Sequence, residues 1–332
     1  MIGRHSGLPC LNNGLLDINV IKFKIMNRRL IILCIWAMVG SLSACQEDHT
    51  ILPDLGILPS NDMNVSGGGS FDFTYTPLQT RPIKVWYFVP EDKPQDTPIV
   101  FIMHGVDRNG DVYRNQWVNL AKENKWIIIA PNFSDTDWPG SRYYNVGNVF
   151  DGSGGYQGNL NPEADWTFSS IEAIFDHVVS EIDGNQTSYN IYGHSAGSQF
   201  VHRMVTLKSE PLRAKKIIVA NAGWYTLLDE NTPYPFGIRN LELSEEQINR
   251  ALALDMVVLL GEADVLIDDN LNTDPQAMLQ GPYRFARGQN YYNYHRDLAA
   301  KRGVPFGWTL STVPGVGHNN RNMAPAAAEF LK

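Results

Sequence analysis

IYGHSAGSQF, residues 191–200, lies just past the middle of a 332-residue chain. It contains Gly193-His194-Ser195-Ala196-Gly197, a G-x-S-x-G pentapeptide. With Gly and Ser each near ~7% of average usage, three fixed positions recur by chance about 0.1 times in such a chain. The pentapeptide alone is weak, so its neighbours decide. SYNIYG (188–193) reads as a strand and SAGSQFVHRMVTL (195–207) as a helix. A strand running straight into a helix through two glycines holds a serine on a sharp, strained turn with its hydroxyl exposed. The plainer alternative is a serine that only caps the helix.

Strand and helix alternate on both sides of this turn. PIVFIMH (98–104), WIIIA (126–130) and MVVLLG (256–261) are continuous apolar runs, as parallel strands buried on both faces require. KKIIVANAG (215–223) and FGWTLSTVP (306–314) also read as strands. Helical spacing appears over 112–125, 161–182, 291–303 and 322–332. FDFTYT (71–76) and IKVWYFV (83–89) suit an antiparallel hairpin. The pattern predicts an α/β fold: a mostly parallel sheet, opened by an antiparallel hairpin, with helices on both faces.

A serine hydroxyl is a poor nucleophile without a base and a group that orients the base. LLGEADVL (259–266) places Asp264 just past a strand, and VPGVGHNN (313–320) places His318 in a loop after the last strand. Glu262, Asp268 and Asp269 are rival orienters. Asp264 is favoured because it sits in the first turn after the strand, where the acid must project. The acidic stretch 264–274 lacks the glycine and terminal glutamate of a calcium loop and is expected to be a solvated turn. No H-x-x-x-H or His/Cys cluster points to zinc, so no metal and no organic cofactor is expected. His104 and His194 are expected to be structural.

Strand order, pentapeptide and the sequence Ser195, Asp264, His318 resemble the α/β-hydrolase superfamily over residues 70–332. The resemblance implies an acyl-enzyme route with these three residues as the triad. It also implies an oxyanion hole from the backbone N–H of Ala196 and of Val106, in the loop HGVDRNG (104–110). That loop, NFSDTDWPGSRYYNVGN (132–148) and NAGWYT (221–226) resemble the polyhydroxybutyrate depolymerase and feruloyl esterase group. The chain departs from that group in having no cysteine pair in the part expected to fold, and no separate polymer-binding module is expected. Trp138, Tyr144, Trp224 and Arg142 fall on loops on the presumed active-site side and are expected to wall a pocket, with Tyr143 and Tyr225 further candidates. The flat apolar faces of Trp138 and Tyr144 favour aromatic acyl esters of plant-wall sugars. Alternatives are a polyester depolymerase or lipase-like esterase, a peptidase of the same fold, and a non-catalytic binding lipoprotein.

The formal net charge of −8 argues against nucleic-acid binding. Met26-Asn27-Arg28-Arg29, the apolar run 30–40 and Leu42-Ser43-Ala44-Cys45 resemble a bacterial lipoprotein signal, in which lipid attaches to the cysteine, here Cys45. Residues 1–44 are thus expected to be a signal region, with Met26 a second candidate start. Residues 45–70 are expected to be a flexible tether, and 71–332 the catalytic domain. The expected place is the bacterial cell envelope, with the membrane reached through the anchor. The three cysteines, Cys10, Cys34 and Cys45, all lie before the presumed folded part, so no disulfide framework is expected.

Overall fold

The computed structural model describes Met63 and residues 66–78, 81–90 and 94–332. The signal region and Cys45 lie outside them. Eight strands form one sheet: β1 (Gly67–Phe73), β2 (Ile83–Val89), β3 (Ile99–Met103), β4 (Ile127–Asn132), β5 (Tyr189–His194), β6 (Ala214–Ala220), β7 (Met256–Gly261) and β8 (Thr309–Val313). Their spatial order is β1-β2-β4-β3-β5-β6-β7-β8. The pairs β1–β2 and β2–β4 are antiparallel, and every pair from β4 to β8 is parallel. This is the α/β-hydrolase architecture, opened by the hairpin that the alternating residues 71–76 and 83–89 predict.

The central strands, such as β3 and β7, are apolar on both sides because both sides are covered. Odd residues of β3, Ile99, Phe101 and Met103, enter one core with Ile191, Val219 and Leu260. Even residues, Val100 and Ile102, enter the opposite core with Tyr192, Ile218 and Leu259. Helices α1 (Gly110–Asn124) and α7 (Asn320–Glu329) cover the second face. Helices α2 (Ser170–Glu181), α3 (Ala196–Leu207), α4 (Glu245–Leu252) and α6 (Arg284–Arg302) cover the first, and a short α5 (Pro275–Leu279) precedes α6. No described helix is long and apolar enough to cross a membrane.

Three expectations shift. Gly67-Gly68-Gly69-Ser70, read as tether, is the first half of β1. Gly69 is needed there because a Cβ would meet the Tyr87 ring hydroxyl at 2.2 Å. The long helix over 161–182 begins only at Ser170. Before it run two 3-10 turns, Glu163–Asp165 and Thr167–Ser169, separated at Trp166 by an extended ψ of 134°. The Thr167 N–H is committed to Gly147 O at 2.9 Å rather than to a helical carbonyl. Helix α4 is an addition, and its start was legible: Ser244 and Gln247 form a reciprocal capping box.

Candidate active site

Ser195 sits where β5 ends and α3 begins, with φ 57° and ψ −119°. A non-glycine residue pays a steric penalty in that region, and the surrounding packing enforces it. A Cβ on Gly193 would lie 2.3 Å from Gly197 O, and one on Gly197 would lie 2.1 Å from Met103 O. The two glycines therefore let strand and helix approach closely enough to hold the serine out at the carboxyl edge of the sheet.

His318 reaches this serine from the loop after β8, and Asp264 from the turn after β7. Ser195 Oγ lies 2.9 Å from His318 Nε2, and His318 Nδ1 lies 2.7 Å from Asp264 Oδ2. Asp264 is 2% exposed, so its carboxylate is held away from water. Neither Glu262, which accepts from Thr312 Oγ1, nor Asp269 is hydrogen-bonded to the imidazole. Asn221, a residue not singled out in the sequence, ties the two loops together. Its Oδ1 accepts from Gly261 N at 2.8 Å, and its Nδ2 donates to Gly317 O at 3.2 Å. Its φ is 49°, a region that Asn tolerates better than most residues.

The stretch 264–274 is not simply a solvated turn. Asp268 binds Arg284 through two hydrogen bonds, and Arg284 is itself 1% exposed. That pairing holds the Asp268 carboxyl below the usual aspartate range, the hydrogen bond from Arg284 being the largest cause. Arg284 also stands 3.6 Å from Asp264 Oδ1.

A cavity of about 620 Å³ opens at Ser195, lined among others by Val106, Ala196, Gln199, Trp224 and Arg284. Ala196 and Val106 both line this cavity. Of the four expected wall residues, only Trp224 lines the cavity. Trp138 is fully buried instead, its Nε1 donating to Pro82 O at 2.9 Å and its ring set edge-on to Phe133. Tyr144 is fully buried too, its hydroxyl donating to His104 O at 2.6 Å and its ring stacked on His104. Arg142 turns to Asn148 Oδ1 and to the Tyr143 ring. These corrections share one cause: the loop 133–148 folds back on itself. Arg108 straps it down, donating to Phe133 O, Trp138 O and Gly140 O.

Three buried histidines brace the surrounding loops in one pattern. The Nε2 atoms of His104, His202 and His295 accept from the backbone N–H of Phe133, Thr226 and Leu228. The opposite nitrogen, Nδ1, must therefore carry the proton, and it donates to Gly105 O, Ser198 O and Tyr291 O. Burial keeps all three neutral, pushing His104 and His295 down to about 3. His194 is buried behind the site, with Nδ1 2.9 Å from the Tyr113 hydroxyl and its ring 4.8 Å from that of His318. Burial holds it, too, well below the usual histidine range.

The chain is similar to the solved structure of poly(aspartic acid) hydrolase-1 from Sphingomonas sp. KT-1. Identity is 38% over 80% of this chain and 99% of that one, with a TM-score of 0.76. It is also similar to a poly(3-hydroxybutyrate) depolymerase from Bordetella parapertussis, at 35% identity over 80% of this chain and 90% of that one, with a TM-score of 0.75. An S-formylglutathione hydrolase from Agrobacterium tumefaciens shares the fold at 13% identity, covering 82% of this chain and 98% of that one, with a TM-score of 0.50. No protein-family model and no curated protein sequence matches the chain.

Proposed function

Because this chain belongs to the α/β-hydrolase family that includes the poly(aspartic acid) hydrolase and the poly(3-hydroxybutyrate) depolymerase, we propose that it is a serine hydrolase of carboxylic esters, acting through an acyl-enzyme. The observation that carries this reading is the unbroken relay from Ser195 through His318 to Asp264, with hydrogen-bond distances of 2.9 and 2.7 Å.

The Ser195 hydroxyl donates to Nε2 and attacks the ester carbonyl while the imidazole takes its proton. Asp264 accepts from Nδ1–H, fixes the tautomer and balances the imidazolium that forms. The N–H groups of Ala196 and Val106 stabilise the tetrahedral oxyanion. His318 then returns the proton to the departing alcohol, and a water repeats the sequence to free the acid. No step calls on a metal or an organic cofactor.

An oligomeric or polymeric ester is the favoured substrate. The cavity is large enough for more than one small acyl unit, and one relative is a polyester depolymerase by name. A polyanion fits less well, since the chain carries −8 and the two arginines of the cavity, Arg108 and Arg284, already face Asp135 and Asp268. Trp224, the one aromatic wall residue, favours an aromatic acyl group as a second reading.

A fluorophosphonate probe should label the wild-type chain at Ser195, and p-nitrophenyl acetate should be turned over. Ser195→Ala should lose labelling, and both it and His318→Ala should lose on the order of 10⁴-fold in turnover. Undiminished turnover in Ser195→Ala would refute the assignment. Wild-type protein that neither labels nor cleaves any ester would favour a binding role, and cleavage of amides alone would favour a peptidase.

A further inference from the structure

We propose that Gln199 is a specificity-determining donor that recognises a second carbonyl-type oxygen of the substrate, beyond the carbonyl attacked by Ser195; the proposal rests on the serine-hydrolase reading. Gln199 lies in the first turn of α3, its N–H donating to Ser195 O at 3.1 Å, and both residues line the cavity. It is only 7% exposed, yet it lines the cavity.

The orientation of its amide is dictated from behind. Its Oε1 accepts from Asn145 Nδ2 at 3.0 Å and from Arg203 Nη1 at 3.3 Å. A guanidinium can only donate, so the atom facing it must be the oxygen. The NH₂ group is therefore turned the other way, towards Gly223, where a methyl built on that residue would stand 3.1 Å from Nε2. Gly223 lines the same cavity. None of the hydrogen bonds among the described residues uses Nε2, so two N–H donors face the space a substrate enters.

Arg203 adds a charge to this arrangement. It is fully buried, and its acceptors are all neutral: Thr226 Oγ1, Asn145 O, Gln199 O and Gln199 Oε1. No carboxylate lies within 4.0 Å of it among the described residues, in contrast to Arg284, which Asp268 pairs. An unbalanced cation behind a donor pair polarises the donors and favours an oxygen lone pair in front of them. An alkyl chain in that place would leave the N–H groups without acceptors. A polyester meets the requirement in every repeat, because each ester linkage is followed by another carbonyl.

The test uses two pairs of esters that differ in one carbonyl. On the acyl side these are p-nitrophenyl levulinate and p-nitrophenyl pentanoate, and on the alcohol side acetonyl acetate and isobutyl acetate. For each pair the ratio of kcat/KM is compared between wild type and Gln199→Met. A hydrogen bond of ordinary net strength corresponds to roughly tenfold. The carbonyl-bearing member of one pair should therefore lose about tenfold relative to its partner. Gln199→Glu, which keeps the shape and can pair with Arg203 but offers no donor, should lose at least as much, and it serves if the methionine variant folds poorly. If neither ratio changes more than twofold in either variant, the proposal is overturned. Turnover with unchanged ratios rejects Gln199 alone, whereas absence of both turnover and fluorophosphonate labelling in the wild type rejects the hydrolase reading itself.

Discussion

Arg284 holds Asp268 through two parallel hydrogen bonds, Nη1 to Oδ2 at 2.8 Å and Nη2 to Oδ1 at 2.7 Å. It does so 3.6 Å from Asp264, the carboxylate that binds His318. Two acids of one acidic turn thus have separate tasks. One orients the imidazole, and the other occupies a buried guanidinium that would otherwise compete for the first.

Asp264→Asn should lower turnover of p-nitrophenyl acetate by roughly 10⁴-fold, since the imidazole loses both its tautomer control and its counter-charge. Asp268→Asn acts only through Arg284, which is then free to draw Asp264 away from His318. Its expected cost is about tenfold or less in kcat, with a lower melting temperature because a buried cation loses its partner. Steady-state kinetics on both variants decide, and equal losses would remove the orienting role from Asp264.

Trp138→Ala should behave as a core deletion. The side chain is fully buried and packs on Phe133, so about 3–5 kcal/mol of stability should be lost. Any change in kcat/KM should then be parallel for methyl ferulate and p-nitrophenyl acetate. Chemical denaturation and the two rate measurements check this. A loss confined to the aromatic ester would return Trp138 to the substrate.

Acid should destabilise the fold through the buried histidines. The folded values of His104 and His295 are pushed down to about 3, below the ordinary 6.5. Between those values the unfolded chain binds protons that the native chain refuses. Their stabilising contribution is therefore full above pH 6.5 and is lost as the pH falls towards 3. Each should contribute roughly 2 kcal/mol less at pH 5 than at pH 7. Urea titrations at the two pH values measure the slope, and His295→Gln should have a shallower one than wild type. An unchanged slope would mean that His295 takes up its proton as readily in the native state as in the unfolded chain.

The motif around Cys45 predicts lipid attachment, a matter for the intact cell rather than the described residues. Wild-type chain should partition into the detergent phase after membrane extraction, and Cys45→Ser should not. Two or more acyl chains anchor firmly where one binds weakly. A soluble wild-type chain starting well past Cys45 would indicate ordinary secretion.

Much of the fold and the chemistry was legible locally. A continuous apolar run such as MVVLLG can be stable only with both faces covered, so parallel strands and flanking helices follow from composition alone. The pentapeptide around Ser195 was readable because a predicted strand runs into it and a predicted helix leaves it; Gly193 answers to backbone only four residues on, whereas the need for Gly197, whose Cβ would meet Met103 O on the neighbouring strand, shows only in the fold. Asp264 and His318 were readable because a strand end projects its next residues to one edge of the sheet, whatever else the chain does. Gln199 was within reach of the same reasoning, being four residues past Ser195, but the direction of its amide was not.

What only the tertiary structure decided concerns side chains whose role depends on a distant partner. Trp138 and Tyr144 sit in a loop whose composition suits a binding wall, and Arg108, 25 to 32 residues away from the carbonyls it binds, turns that loop inward. Asp268 sits among acids that look alike until Arg284 selects one of them. Backbone periodicity acts over a few residues and is written along the chain. Hydrogen bonds and ion pairs between loops form only after the sheet has brought their anchors together, so the sequence alone pointed to Ser195, Asp264 and His318, while the folded chain decided which acid binds His318 and which side chains wall the cavity.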